Sequence, residues 1–339
     1  MDIREIPTTQ LRGSTIGFFA PMNGGKTEGM IQELKRAAYY NLHPFAYNHQ
    51  RNTREVDTIV IDGKESYPAT SVKDIPHLQQ DLEQKIKHLR IQYHTSEIEK
   101  ISALTPSKTH PPAGIKNLNE IVVGIDEINL FCLTETETKD TIQFMDWCRE
   151  QNMVLFIAGL LYDFRHRPFG SVHALLPYVD IKEEKKPACM AIRADGEKCV
   201  DTAKHTQRVW STEFAKELGL DFLIDSNNFN YVNKHKEKNL NQYIAAPYFD
   251  QTVRIEAERD KKIDYLPVCT ACARLPYRSE TFTVYNQIIQ HLSPSLTDNR
   301  LTQHILAFLA EEKWVTREKK KPLATTFYHN SLGSFSPKK

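Results

Sequence analysis

Three short clusters carry chemically capable side chains at informative spacings. The stretch APMNGGKT (residues 20–27) follows the apolar run Ile16-Gly17-Phe18-Phe19 and closes on Gly25-Lys26-Thr27. That ending matches the second half of G-x-x-x-x-G-K-[ST], in which backbone amides cradle phosphate, the Lys meets phosphate charge and the hydroxyl serves a Mg2+. Ala20 stands where the first Gly of the pattern is usual. Asp126-Glu127 directly follow the apolar run IVVGI. A carboxylate in that place can hold Mg2+, and its neighbour can take a proton from a hydroxyl nucleophile. Cys269-x-x-Cys272 has the spacing that lets two thiolates face one tetrahedral ion. Each cluster alone has a plain alternative: a glycine turn, a charged strand end, a pair of buried thiols.

The elements around them sharpen the reading. Ile16 to Ala20 reads as a short buried strand, and Thr27 to Tyr40 has apolar residues near helical spacing at Met30, Ile31, Leu34, Ala37 and Ala38. The glycines therefore fall between a strand and a helix, whose N-terminal amides and dipole favour an anion. Pro44–Tyr47 and Thr58–Ile61 read as further strands, and Ile121–Ile125 and Val154–Ala158 as buried ones with the continuous apolar character of parallel sheets. Thr138–Gln151 reads as a helix. Residues 76–103, with Leu78, Leu82, Ile86, Leu89 and Ile98 among many charges, read as a long, exposed amphipathic helix. Thr105–Gly114, with three prolines, reads as a loop.

The expected fold is α/β: a P-loop parallel sheet with helices on both faces, plus a smaller cysteine-bearing subdomain and a helical C-terminal extension. Expected boundaries are 1–186 for the nucleotide-binding domain with a helical insertion at 76–103, 187–275 for the subdomain with an insertion at 209–246, and 276–339 for the extension and its basic tail. Residues 205–263 read as polar and helix-prone with few clear strands, and Ser279–Trp314 as helical in two pieces split at Ser293-Pro294.

Composition narrows the class. The 339 residues carry 44 Lys+Arg against 43 Asp+Glu, so no basic excess argues for nucleic acid or a membrane surface as the main partner. No signal pattern opens the chain and no apolar run approaches a membrane span, which makes a cytoplasmic enzyme the expectation. Six cysteines are scattered along the chain, and a close pair in such a chain points to metal or redox chemistry rather than a disulfide framework; Cys132 and Cys148 read as core. The segment AGLLYDFRHRPFG (residues 158–170) leaves a buried strand at its C-terminal end, where open α/β sheets bind ligands, and mixes aromatics with arginines suited to a base and a phosphate.

In order, APMNGGKT, GIDEINLF, AGLLYDFRHRPFG, CVDTAKHTQR and YLPVCTAC resemble the motifs of the thymidine kinase family of the cellular and bacterial, tetrameric, zinc-containing type. The resemblance spans residues 14–60, 118–208 and 247–275. It implies ATP-dependent phosphorylation of a pyrimidine deoxynucleoside, thymidine foremost, at the 5′-hydroxyl, with ATP, Mg2+ and a structural Zn2+ as cofactors and a homo-oligomer as the assembly. By position it implies that Met22, Asn23, Gly24, Gly25, Lys26, Thr27 and Arg54 serve the nucleotide, with Met22 near the base pocket. Asp126 would orient the metal, Glu127 would be the general base and Arg165 would stabilise the transferring phosphoryl group. Leu160, Phe164, Phe169 and Tyr265 would surround the base, and Cys189, Cys199, Cys269 and Cys272 would bind zinc.

The chain departs from that pattern at several points. Ala20 replaces a Gly, and Asn129-Leu130 stand where the family has Gln and an aromatic. Asp62 replaces a His, and Cys189 lies ten residues before Cys199 rather than three. Phosphate chemistry is thereby better supported than the choice of base. The alternative reading is a P-loop ATPase or NTP-binding regulator on the same scaffold, since a Glu beside the metal can activate water as well. A non-catalytic zinc protein is disfavoured by the joint presence of Lys26, Thr27, Asp126 and Glu127.

Overall fold

A computed structural model describes residues 6–52, 57–61, 65–102, 117–192, 197–224, 243–250, 262–290 and 300–314. The chain divides into two compact units, one of residues 1–161 and 168–186, the other of 162–167 and 187–339.

The first unit is built on a six-stranded sheet. Its strands are β1 (Thr15–Phe19), β2 (His43–His49), β5 (Thr70–Val72), β6 (Ile121–Ile125), β7 (Val154–Gly159) and β8 (Ile181–Glu184). They run in the order β5-β2-β6-β7-β1-β8, with every pairing parallel. The segments β3 (Thr58–Ile61) and β4 (Glu65–Pro68) form a separate antiparallel ribbon. Burial explains the continuous apolar runs, because alternate side chains of one strand enter different cores. Val122, Val154, Phe156, Ala158, Ile16 and Phe18 share a core with Met30, Ile31, Leu34 and Ala37 of helix α1 (Lys26–Tyr39). Val123, Ile125, Leu155 and Ile157 point the other way, into a core with residues of α2 (Ile75–Ser102) and α3 (Glu135–Glu150). Each fully buried side chain of this kind contributes about 1.5–3 kcal/mol, so helices on both faces are what make the sheet stable.

Two sequence expectations change here. Helix α3 begins three residues earlier than its apolar pattern, because Thr134 and Glu137 form a reciprocal capping box. Helix α2 is long, as expected, but not simply exposed. Ile75, Leu78, Leu82 and Ile86 are buried, and the Tyr47 hydroxyl donates to Asp81 at 2.8 Å, fastening the helix to β2.

The second unit departs further from expectation. Within 205–263 lie the strands β9 (His205–Ser211) and β10 (Tyr243–Ala245), and with β11 (Ile263–Val268), which starts where that stretch ends, they form an antiparallel sheet ordered β10-β9-β11. Thr206 to Ser211 are all buried, so β9 shows none of the in–out alternation that announces a strand. The short helix α4 (Thr212–Glu217) follows, with the Ser211 side chain capping it. Helices α5 (Arg278–Ile289) and α6 (Arg300–Glu311) realise the two expected helical pieces, while Ser293-Pro294 fall outside the described residues. Val284, Tyr285, Ile288, Ile305, Phe308 and Leu309 join Trp210, Tyr248, Phe249 and Ile263 in one core. No helix among the described residues is long and apolar enough to cross a membrane.

Candidate functional site

The loop after β1 turns into α1 through Gly25, which holds a φ of 78° that a side chain would make costly. No side chain caps that helix, so its first amides keep the orientation that suits an anion. Met22, Asn23 and Gly24 form the rest of the turn, closed by the Gly24 amide donating to the Pro21 carbonyl at 3.0 Å. Lys26, only 6% exposed, brings its ammonium to 3.8 Å from a Glu127 carboxylate oxygen. The Thr27 hydroxyl donates to Asp126 at 3.0 Å across 99 residues of sequence.

Asp126 and Glu127 reach this place because β6 ends there. The Asp126 amide still donates to the Tyr47 carbonyl of β2 at 2.9 Å. Glu127 then takes a left-handed backbone, φ 50°, at a cost of about 1–2 kcal/mol for a non-glycine residue. Strain of this kind gathers where a side chain must be aimed. Burial pushes the Asp126 carboxyl up to about 7, with the Glu127 charge adding to the shift and Lys26 and Thr27 opposing it. Two carboxylates thus face one ammonium, an imbalance that a divalent cation would correct. The donor set of Thr27 hydroxyl and Asp126 carboxylate is of the hard-oxygen type that Mg2+ takes.

Leu160 is buried just past β7, and its amide donates to the Asn129 side-chain oxygen at 2.9 Å. Sequence comparison registered Asn129 only as a departure from a family Gln. The structure shows it tying the ends of β6 and β7 together. Gly159 permits this approach, since a Cβ there would lie 2.7 Å from both the Asn129 oxygen and Ile128 Cγ2. Phe169 is half-buried against the α3-side core, with its amide on the Leu161 carbonyl at 3.0 Å. Arg54 lies outside the described residues, as does Asp62.

Phe164, Arg165 and Tyr265 belong to the second unit. The Arg208 guanidinium lies 5.2 Å from the Phe164 ring centre and 5.5 Å from that of Tyr265. Arg208 and Asp250 are both fully buried and pair at 2.9 Å, and the Trp210 indole donates to the same Asp250 oxygen at 2.8 Å. None of this network was legible as a site. Arg165, expected on a phosphoryl group, is 1% exposed. Its guanidinium donates to the carbonyls of Tyr248, at 2.8 Å, and Asp250. It also pairs with Glu312 at 3.6 Å and sits 4.6 Å from the Phe164 ring centre. In this arrangement its Nε and Nη2 donors are engaged within its own unit, beside Phe164.

The four predicted ligand cysteines converge: Cys189, Cys199, Cys269 and Cys272 are buried, none is in a disulfide, and their sulfurs all lie within 4.8 Å of one another. The Cys199 and Cys269 sulfurs are 3.9 Å apart. A tetrahedral Zn2+ with Zn–S of about 2.3 Å asks for about 3.8 Å. The wide Cys189–Cys199 spacing is explained by a hairpin, with bridges Ala188↔Thr202 and Ile192↔Lys198 and the Cys199 amide on the Ala191 carbonyl at 2.8 Å. Burial pushes the Cys189 and Cys272 thiols up. At Cys269 hydrogen bonds from the Cys272 backbone and the other sulfurs outweigh burial and bring the thiol down. A zinc ion completes such a set of sulfurs by displacing their protons.

Parallel sheet, glycine turn, buried Lys and paired carboxylates define the class of P-loop nucleotide-binding enzymes. Within that class the comparisons point to a kinase, and the chain is similar to the thymidine kinase family. The thymidine kinase family model matches residues 86–219, which takes in Asp126, Glu127 and the 158–170 segment. The chain is 24% identical over 207 residues to a thymidine kinase of Mesoplasma florum, covering 61% of this chain and 81% of that one. It is 22% identical over 219 residues to thymidine kinase 1 of Dictyostelium discoideum, covering 62% and 74%. Among solved structures, the cytoplasmic domain of the Thermomonospora curvata type VII secretion ATPase EccC aligns with a TM-score of 0.29 at 7% identity, over 68% of this chain and 23% of that one.

Proposed function

We propose that the protein transfers the γ-phosphoryl group of ATP to the 5′-hydroxyl of a pyrimidine deoxynucleoside, with thymidine the first candidate. One observation carries this reading: Thr27 meets Asp126 across 99 residues of sequence at 3.0 Å, with Lys26 and Glu127 beside them at 3.8 Å from each other. The names of the relatives support the choice of thymidine.

In this reading the α1 N-terminus and Lys26 bind the phosphates, and the Lys26 charge meets negative charge developing on the transferred group. Thr27 and Asp126 would hold Mg2+, which when bound neutralises phosphate charge. Glu127 takes the 5′-hydroxyl proton as the new O–P bond forms and the bond between the β-phosphate oxygen and the γ-phosphorus breaks, releasing ADP. The site holds Glu127 ready for this because its backbone turn, not its side-chain rotamer alone, aims it. Of the residues that the resemblance assigns to the base, Leu160 and Phe169 belong to the first unit and Phe164 and Tyr265 to the second, and Arg165 acts by positioning Phe164 rather than on phosphate. Cys189, Cys199, Cys269 and Cys272 bind a structural Zn2+ with no open position for catalysis.

The test is a nucleoside panel with ATP and Mg2+, scored for 5′-monophosphate, run on the parent and on Glu127→Gln. The parent is expected to phosphorylate thymidine. The variant is expected to keep ATP and nucleoside binding and lose about a hundred- to ten-thousand-fold in turnover, because the amide matches the shape but accepts no proton. Parent-rate turnover by Glu127→Gln sinks the mechanism. ATP hydrolysis with no nucleoside phosphorylated hands the site to an ATPase.

A further inference from the structure

Helix α6 lies beyond the region matched by the family model, which ends at residue 219, yet it is built into the second unit. Ile305, Phe308 and Leu309 are buried, and the Phe308 ring centre lies 4.8 Å from the Arg165 guanidinium. Just past the helix, the Glu312 carboxylate engages two arginines with one oxygen each. Arg167 Nη1 donates to Oε2 at 3.1 Å, and Arg165 Nη1 stands 3.6 Å from Oε1.

Those arginines belong to a tight turn organised by Asp163. Its Oδ1 accepts the amides of Arg165 and Arg167, each at 2.9 Å. Its Oδ2 accepts the Arg167 guanidinium at 3.0 Å, and the Asp163 amide returns to the Arg167 carbonyl at 2.8 Å. His166 completes the turn with a left-handed φ of 62°. The turn presents Phe164. Two guanidinium groups in so small a segment repel one another, and Asp163 reaches only Arg167 through its side chain in the ion pairs seen. Glu312 is the carboxylate that serves both.

We propose that Glu312 is a positioning residue: the C-terminal helix fixes the 163–167 turn, and with it the Phe164 ring, from 145 residues away. The extension is then part of the nucleoside-binding machinery rather than an appendage. Placing Phe164 against a base rests on the function proposed above, whereas fixing the turn does not.

The experiment compares the full-length parent with Glu312→Gln and Glu312→Ala in two measurements. Hydrogen exchange by mass spectrometry is expected to show the amides of residues 163–167 exchanging about tenfold faster in Glu312→Ala and less so in Glu312→Gln, with α1 and α5 unchanged. Steady-state kinetics are expected to show the nucleoside KM rising about tenfold, as for one lost charged hydrogen bond, with the ATP KM unmoved. Unchanged exchange at the turn overturns the proposal whatever the kinetics do. Exchange that rises evenly through the second unit also overturns it, since Glu312 would then be only a stabiliser. Faster exchange confined to the turn, in a parent that phosphorylates no nucleoside, supports the positioning role and removes the nucleoside reading alone.

Discussion

The two units solve the problem of holding a polar site in opposite ways. In the first, the polar groups stand just past the C-terminal ends of the buried inner strands β1 and β6, and the backbone does most of the aiming, through the Gly25 turn and the left-handed Glu127. In the second, the polar groups are inside. Arg208, Asp250, Arg165 and Trp210 are buried, with Asp250 joining Arg208 to Trp210, and the same unit holds four converging sulfurs. A site at strand ends survives the loss of a side chain, because the sheet does not need it. A buried network does not, because each remaining charge is left without its counterpart.

Metal removal should separate the units most sharply. Chelation, or Cys269→Ser, is expected to abolish one bound zinc per chain and with it the cooperative melting of the second unit, leaving the first folded. Elemental analysis and calorimetry check this, and a metal-free protein of parental stability would return the four cysteines to an ordinary core. Lys26→Ala is expected to behave in the opposite way: phosphoryl transfer falls to background while both thermal transitions persist. Undiminished turnover would remove the phosphate assignment.

Asp250→Ala should cost on the order of 3–5 kcal/mol, because Arg208 then stays buried with its closest carboxylate gone. Urea unfolding followed through tryptophan fluorescence measures it, and a cost below about 1 kcal/mol, the range of exposed pairs, would show the network to be solvated.

The smallest effect concerns pH. His166 stacks on His205, with ring centres 4.1 Å apart, and burial, His205 and Arg278 bring its pKa down to about 4. A folded pKa below the unfolded value of about 6.5 favours the neutral ring. The contribution is therefore complete above pH 6.5 and lost as pH falls toward 4. The second unit's melting temperature should drop over that window, and His166→Asn, which tolerates the left-handed backbone, should flatten the drop.

The same contrast explains what the sequence could tell. Strands β1, β6 and β7 and the residues Gly25, Lys26, Thr27, Asp126 and Glu127 were legible because each is announced locally, by an apolar run or a short motif. The cysteines were legible through their family register, although the hairpin joining Cys189 to Cys199 was not. Strand β9 was missed because burial on both sides erased its alternation. Glu312 and Asp250 were missed because their partners lie far away in sequence, and a carboxylate carries no local sign of the arginine it will meet. Arg165 was assigned by motif to phosphate, and its burial against Tyr248 and Asp250 gives it structural work instead.

The juxtaposed Cys199 and Cys269 also close a loop of 70 residues. In a flexible chain the entropy of closing a loop grows only with the logarithm of its length, so doubling the loop costs about 0.6 kcal/mol. With the ends held by one shared metal ion, added length between them would be nearly free. The stretch between β9 and β11, away from α4 and the paired strand β10, can therefore lengthen with little penalty to the fold.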